Sequence, residues 1–257
     1  MLSVKVIDLL EHLERYAPLE LAQSWDNVGL LIGEPQRRVN RVMISLDASA
    51  NAVEYAIKEG YDLILSHHPL IFHPLKSITN PVILRMIESR IALISLHTNF
   101  DAALGGVNHA LADELGLQVQ GELGDVQAND IGLICSYEAA KTMQEIASVV
   151  KTRLAAPAVK LWTAGQKLNA KVKRIAICGG AGGSVLHLAE ENADILITGD
   201  ISYHSFLDSK IPILDAGHFY TEYPALGRLQ ENLQLTGLPS KILPKELHEY
   251  SQYMHFR

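Results

Sequence analysis

Three short polar clusters hold most of the residues in this chain that could do chemistry. They are Ser66-His67-His68-Pro69-Leu70-Ile71-Phe72, Leu96-His97-Thr98-Asn99-Phe100-Asp101 and Asp215-Ala216-Gly217-His218-Phe219-Tyr220-Thr221-Glu222. Together they supply imidazoles and carboxylates, the usual donors to Zn, Mn, Fe, Ni or Co. Adjacent side chains on a regular strand point to opposite faces, so His67 and His68 would diverge if a strand ran through them. Pro69 cannot donate to a ladder and favours a strand end, past which the two rings can be aimed separately, one at each of two metals. His97 and Asp101 are four residues apart, as are His218 and Glu222. A helical turn would put each pair on one face. Pro224 suits a helix starting near it, with Thr221 as N-cap. A carboxylate can bridge two cations held about 3.5–4 Å apart, and such pairs activate a shared water.

Each cluster directly follows a strand-like run. Val4, Ile7, Leu10 and Leu13 have helical spacing, and a loop follows with Pro18 and the run Ser24–Gly29. Residues 41–46 read as a strand, 49–59 as a helix, 62–66 as a strand, 81–89 as a helix and 91–96 as a strand. Strands alternating with helices of this length indicate βαβ units and a mostly parallel sheet. Ligands of such sheets bind outside the carboxyl ends of the strands, where the three clusters would converge. The pattern then recurs. Residues 39–45 are echoed by 172–178, 60–66 by 192–198 and 91–94 by 211–214. The expected fold class is therefore α/β, two pseudo-repeated βαβ-type halves around a metal cleft. The first half is 1–117 and the second is 168–257, the two forming one main body. Between them, 118–167 reads as a small α+β insert, with strands at 131–136 and 158–162 and a helix over 138–154. The Gly, Asp and Asn-rich stretch 121–130 marks a boundary or hairpin. Residues 241–257 have mixed polarity and read as no more than helical.

Composition bounds the function. At roughly 150 residues per domain, 257 residues make one to two domains. An apolar fraction of 48% with 20% charged residues is that of a globular chain, not a disordered one. A net charge of −7 argues against a general grip on DNA. Cys135 and Cys178 both lie in apolar runs, which suits buried thiols in a reducing setting. There is no signal-like apolar run near Met1 and none approaching the ~20 residues that span a bilayer. A cytoplasmic protein with no membrane contact is expected.

Other motifs carry weaker signals. Gly179-Gly180-Ala181-Gly182-Gly183-Ser184 follows a strand, and its backbone N–H groups could cradle a phosphate or simply form a tight turn. Asp200, Tyr203 and His204 occupy in the second half the place of the histidine pair in the first, either as active-site groups or as a cap and a surface histidine. Trp25-Asp26-Asn27 reads as a rim of the cleft or as a packed Trp with an Asx-turn. Ligating imidazoles usually donate their other N–H to a carboxylate or carbonyl, which makes Asp62 and Asp215 candidates to support the site. His12, His73, His109, His187, His248 and His255 read as structural or solvated. Ser66 beside His67 is no evidence for a serine nucleophile, because no third group accompanies the pair.

Taken with Ser24-Trp25-Asp26-Asn27-Val28-Gly29-Leu30-Leu31-Ile32-Gly33 upstream, the three clusters resemble the NIF-three-like dinuclear-metal family, often labelled type-2 homologues of GTP cyclohydrolase I. The resemblance spans essentially the whole chain in motif order. It implies two divalent metal ions per subunit, with His67, His68, Asp101, His218 and Glu222 as ligands. His97 matches a residue lining the same site, as a ligand or in support of one. The resemblance also implies a toroidal homohexamer with its metal sites facing an internal cavity.

The leading expectation is a metal-dependent hydrolase of a nucleotide, another phosphoester, or a cyclic amide or amidine. His97 or His204 would then move protons as the catalytic acid or base. One alternative is a non-enzymatic metal-loaded ring that binds a protein or, less favoured, a nucleic acid. Another is metal storage or insertion.

Overall fold

Three strands of the first half are apolar without alternation, and the structure shows why. The computed structural model describes residues 4–125 and 131–252. In it Val42–Ser45, Leu63–Ser66 and Ala92–Ser95 are buried at every position. Continuous burial is what parallel strands covered on both faces require. The helices between them carry explicit start and stop signals. Ser49 caps Ala50–Glu59 by accepting from Ala52 N, and Gly60 ends it at φ 71°. Asn80 accepts from Val82 N and Ile83 N ahead of Pro81–Glu88, with Pro81 in the first turn.

The chain forms two compact units. One is built from the residues up to Leu104 together with those from Leu226 onward, and the other is Gly105–Ala225. In the first unit a five-stranded sheet runs in the order Gly29–Ile32, Ala92–Ser95, Leu63–Ser66, Val42–Ser45, Ser240–Ile242. All neighbours are parallel except the edge strand Gly29–Ile32. Met43, Ile64 and Leu93 pack with Ala52, Val53, Ala56, Ile83, Met86 and Leu243 in one core.

In the second unit a six-stranded sheet runs Gln118–Glu122, Leu133–Ser136, Ile175–Ala181, Ile195–Gly199, Ile213–Asp215, Lys160–Trp162. Its three successive strands from Ile175 to Asp215 are parallel and the flanking strands antiparallel. The two-residue period of a strand sorts its side chains between two cores. Ile175 and Ile177 join Leu111, Leu115, Ile146 and Val150, whereas Ala176 and Cys178 join Val185, Ala189 and Leu196. Cys135 and Cys178 are buried free thiols, and burial pushes the Cys135 thiol up to about 12. That suits filler side chains, not nucleophiles. The protein is thus a mixed α/β one with parallel strand runs, as the alternating pattern predicts. No helix among the described residues is long and apolar enough to cross a membrane.

Two local readings need correction. The expected helix over 138–154 begins only at Met143, because Lys141–Thr142 first pairs with Lys171–Val172. Thr142 and Glu145 then form a capping box. The tail is not merely helical. Ser240–Ile242 lies parallel to Val42–Ile44, and short 3₁₀ turns follow at Lys245–Leu247 and Glu249–Gln252. Three residues are too few for a periodicity signal, and the strand exists because an open sheet edge accepts it. Residues 126–130, within the expected boundary stretch, lie outside the described residues, as does His255. Leu243 follows that strand and is buried. Leu243→Ala is expected to destabilise the protein by about 2–5 kcal/mol in urea unfolding. A tail that merely decorated the surface would give a change near zero.

Candidate metal centre

The first unit builds its site at the carboxyl ends of three parallel strands. Past Ser66 the ladder continues for two residues. His67 N donates to Ser45 O at 3.1 Å and His68 N to Leu46 O at 2.8 Å. Pro69 then has no N–H to offer, and the strand path stops there. Ser66 Oγ donates to His68 O at 2.8 Å and lies 2.7 Å from Ser95 Oγ. Ser66 therefore clamps the strand ends and is not a nucleophile.

Each imidazole is held by its Nδ1. His67, almost wholly buried, meets Leu96 O at 2.8 Å. His68 meets Asp47 Oδ1 at 2.8 Å, and His97 meets Asp26 Oδ1 at 2.9 Å. A carbonyl oxygen or an ionised carboxylate can only accept, so each Nδ1 carries the proton and the neutral ring keeps its lone pair on Nε2. Burial alone would raise the Asp26 carboxyl, but hydrogen bonds from His97 and Thr98 outweigh it and hold the group at about 2. Asp26 is thus the acceptor at neutral pH. One ligand atom from each of His67, His68 and His97 lies within 4.8 Å of the others. Asp101, one turn into helix Thr98–Ala102, brings Oδ1 to 3.6 Å from His67 Nε2. Imidazoles anchored at Nδ1, with a carboxylate beside them, are the donor set that a divalent ion takes. The residues fit a metal.

The second unit carries His218 and Glu222. Strand Ile213–Asp215 turns through Gly217 at φ 86° into the short helix His218–Glu222. The expected i, i+4 contact is made, with His218 Nε2 at 3.0 Å from Glu222 Oε1. His218 Nδ1 lies 2.9 Å from Asp200 Oδ2. Asp200 follows strand Ile195–Gly199 and sits at φ 48°. A helix, Ala225–Gln234, does start beside Pro224, but Thr221 lies inside the preceding helix His218–Glu222 and is not its N-cap. The Thr221 hydroxyl accepts from Gly180 N at 3.0 Å and lies 2.9 Å from His218 O.

The glycine run is explained by packing. Gly179 N donates to Asn108 Oδ1, Gly180 N to Thr221 Oγ1 and Gly182 N to Thr198 Oγ1. Those N–H groups are committed and do not form a phosphate cradle. Gly180 has φ +68°, and a Cβ there would collide with Glu222 Oε1 and lie 3.3 Å from His218 Cε1. A Cβ on Gly199 would come within 2.6 Å of His218 N. Both glycines leave the room that His218 and Glu222 occupy.

The remaining expectations sort as follows. Asp62 accepts from Asn40 N and Arg41 N, and Asp215 accepts from Gly217 N and pairs with Lys160. Neither holds an imidazole, and Asp26, Asp47 and Asp200 do so instead. Asp26 and Asp200 lie in segments that the sequence marks. Asp47 carries one signal only, its place two residues past a strand end. His204 is exposed on helix Tyr203–Asp208, its ring edge-on to Tyr203 at 5.5 Å. His12, His187 and His248 are structural. His12 meets Asn232 O, His187 meets Ser184 O, and His248 is buried, which pushes its pKa down.

Gly180→Ala is expected to cost about 1–3 kcal/mol in thermal or urea unfolding, from overpacking against Glu222 and from the positive φ. Gly183→Ala, where a Cβ meets open space, should be near neutral. Equal effects at the two positions would contradict the packing account.

Comparison with known proteins agrees with these motifs. The model of the Duf34/NIF3 (NGG1p interacting factor 3) family matches residues 4–243. A Clostridium perfringens protein named GTP cyclohydrolase 1 type 2 homolog is 34% identical over 244 residues, covering 90% of this chain and 92% of that protein. The crystal structure of Staphylococcus aureus hypothetical protein SA1388 is similar with TM-score 0.85 at 29% identity, covering 98% of this chain and 100% of that chain. A Bacillus cereus protein related to NIF3, 23% identical, shares the fold with TM-score 0.87 and full coverage of both chains. The chain belongs to the Duf34/NIF3 family.

Proposed function

We propose that this protein is a metal-dependent hydrolase whose substrate is a nucleotide, another phosphoester, or a cyclic amide or amidine. The observation that carries the reading is the His67, His68 and His97 cluster, with each Nδ1 held by an acceptor. The proposed ligands of a dinuclear centre are His67, His68, Asp101, His218 and Glu222. Divalent ions held there would supply Lewis acidity, polarising a substrate oxygen and acidifying water. The donor set suits Zn, Mn, Fe, Ni or Co.

The chain's own residues do the rest. Asp47, Asp26 and Asp200 fix the tautomer and aim of His68, His97 and His218. Asp101 and Glu222 bring negative charge that offsets the ions. His97 is either a further ligand or the group that moves a proton, and the exposed His204 is the other candidate for proton transfer. A homohexameric ring, by family resemblance, and a cytoplasmic setting, from the buried thiols, belong to the same proposal, with nucleic acid the less favoured partner.

Metal content by mass spectrometry and affinity by calorimetry test the centre. Wild type should hold two divalent ions per chain. His68→Ala and Glu222→Gln should lose metal and turnover while keeping a native circular dichroism spectrum. Asp47→Ala should weaken metal affinity by about tenfold to a hundredfold, as removal of an imidazole's hydrogen-bond partner does. Loaded protein that turns over nothing in a panel of nucleotides, phosphoesters and cyclic amides would overturn the hydrolase. Readily exchangeable metal without turnover would favour storage.

A further inference from the structure

Trp25 and Phe72 are large apolar side chains left in solvent, 53% and 39% exposed. They stack on one another, with ring centroids 5.5 Å apart and planes 25° apart. Each meets the His97 ring edge-on at 6.2 Å. His97 in turn lies 5.3 Å from the His67 ring and 5.6 Å from the His68 ring. The aromatic pair thus abuts the imidazole cluster through His97, within the same unit.

The exposed indole stands on a pinned backbone. Gln23 N donates to Thr98 Oγ1 at 2.9 Å, and Asp26 N donates to Gln23 O at 2.9 Å. The Asp26 carboxylate accepts from His97 Nδ1 at 2.9 Å and from Thr98 N at 3.1 Å. Asn27 Nδ2 donates to Ile71 O at 2.5 Å, one residue before Phe72. The contacts that aim His97 therefore also fix the backbone under Trp25, and Asn27 ties that turn to the segment carrying Phe72. A rigid aromatic face kept out of the core gains nothing from burial. It is suited to stacking a flat ligand, an interaction open to any base because every base has a π-face.

We propose that Trp25 and Phe72 form a stacking shelf for a planar heteroaromatic ring of the substrate, which narrows the substrate class to nucleotides or similar ring-bearing esters. This rests on the proposed hydrolase, because that reading makes the imidazole cluster the place where substrate reacts. One face of the indole is taken by Phe72, so the ring lies on the other and extends the stack. Trp25 stands at 73° to the His97 plane. A ring parallel to the indole thus lies steeply inclined to the His97 plane. Trp25 and Phe72 are specificity-determining residues, and an aliphatic ester gains nothing from them.

The chain has two tryptophans, Trp25 and Trp162, so Trp162→Phe leaves Trp25 as the sole indole reporter. Guanosine monophosphate and ribose 5-phosphate share a sugar and phosphate and differ in the planar base. The first should quench Trp25 emission saturably, and the second should not. By calorimetry, Trp25→Ala in the otherwise wild-type chain should weaken guanosine monophosphate by about tenfold to a hundredfold, the range for one base–aromatic stack. It should leave ribose 5-phosphate unchanged, and Trp25→Phe should recover most of the loss. Equal affinity for the two probes in wild type would overturn the shelf. So would an unchanged guanosine monophosphate affinity in Trp25→Ala, including the case where that variant changes oligomeric mass and the indole covers a subunit contact. Metal titration of the same protein separates this from the function. Base-selective quenching without metal uptake supports the shelf and sinks the metal centre. Metal uptake and turnover with no base selectivity sinks the shelf alone.

Discussion

The site depends on one constraint: a buried or half-buried imidazole needs a fixed acceptor at Nδ1 if its Nε2 lone pair is to be offered anywhere useful. Four histidines meet that constraint by four acceptors, Leu96 O, Asp47, Asp26 and Asp200. Each acceptor is at or just past the end of a strand or turn that the sheet already holds in place. The ring orientation is thus inherited from the backbone ladder. His67 shows this most directly, since its N–H bonds Ser45 O and its ring bonds Leu96 O, on strands either side of its own. A buried polar group without such partners costs on the order of 1–3 kcal/mol, so the imidazoles and their acceptors stand or fall together.

The second unit meets a different constraint, that of space. Glu222 is buried on a helix of five residues, too short to be stable by itself. The helix is held from the strand beside it, by Thr221 Oγ1 bonding Gly180 N, and by glycines that let strand and helix approach. Gly180 makes room for the Glu222 carboxylate and Gly199 for the His218 backbone by lacking a side chain. The glycine run, which in sequence reads as a phosphate cradle or a tight turn, packs strand against helix and commits the N–H groups of Gly179, Gly180 and Gly182 to side chains.

Much of this was legible in the residues. Uninterrupted apolar runs gave the parallel strands, Pro69 marked the place where the ladder stops just after the paired histidines, and the i, i+4 spacing of His218 and Glu222 became a 3.0 Å contact. These are local properties, set by strand and helix periods and by the missing N–H of proline. The readings that failed were those that needed a partner from elsewhere. Thr221 was read as a cap because its role depends on Gly180, 41 residues away. Asp62 and Asp215 were chosen for proximity in sequence, yet Asp62 bonds the backbone leading into the neighbouring strand Val42–Ser45 and Asp215 bonds the backbone just past its own strand.

By itself, then, the sequence determined the α/β alternation, the places where strands stop, and the kinds of donor waiting there. Only the tertiary structure decided which carboxylate aims which imidazole. Asp47 is 21 residues from His68, Asp26 is 71 from His97 and Asp200 is 18 from His218. It also decided that a three-residue tail strand closes beside Val42–Ile44. The physical reason is that periodicity reports only which face a side chain takes on its own element. The partner it meets depends on the order and register of strands in the sheet, and those are settled by packing across the whole unit.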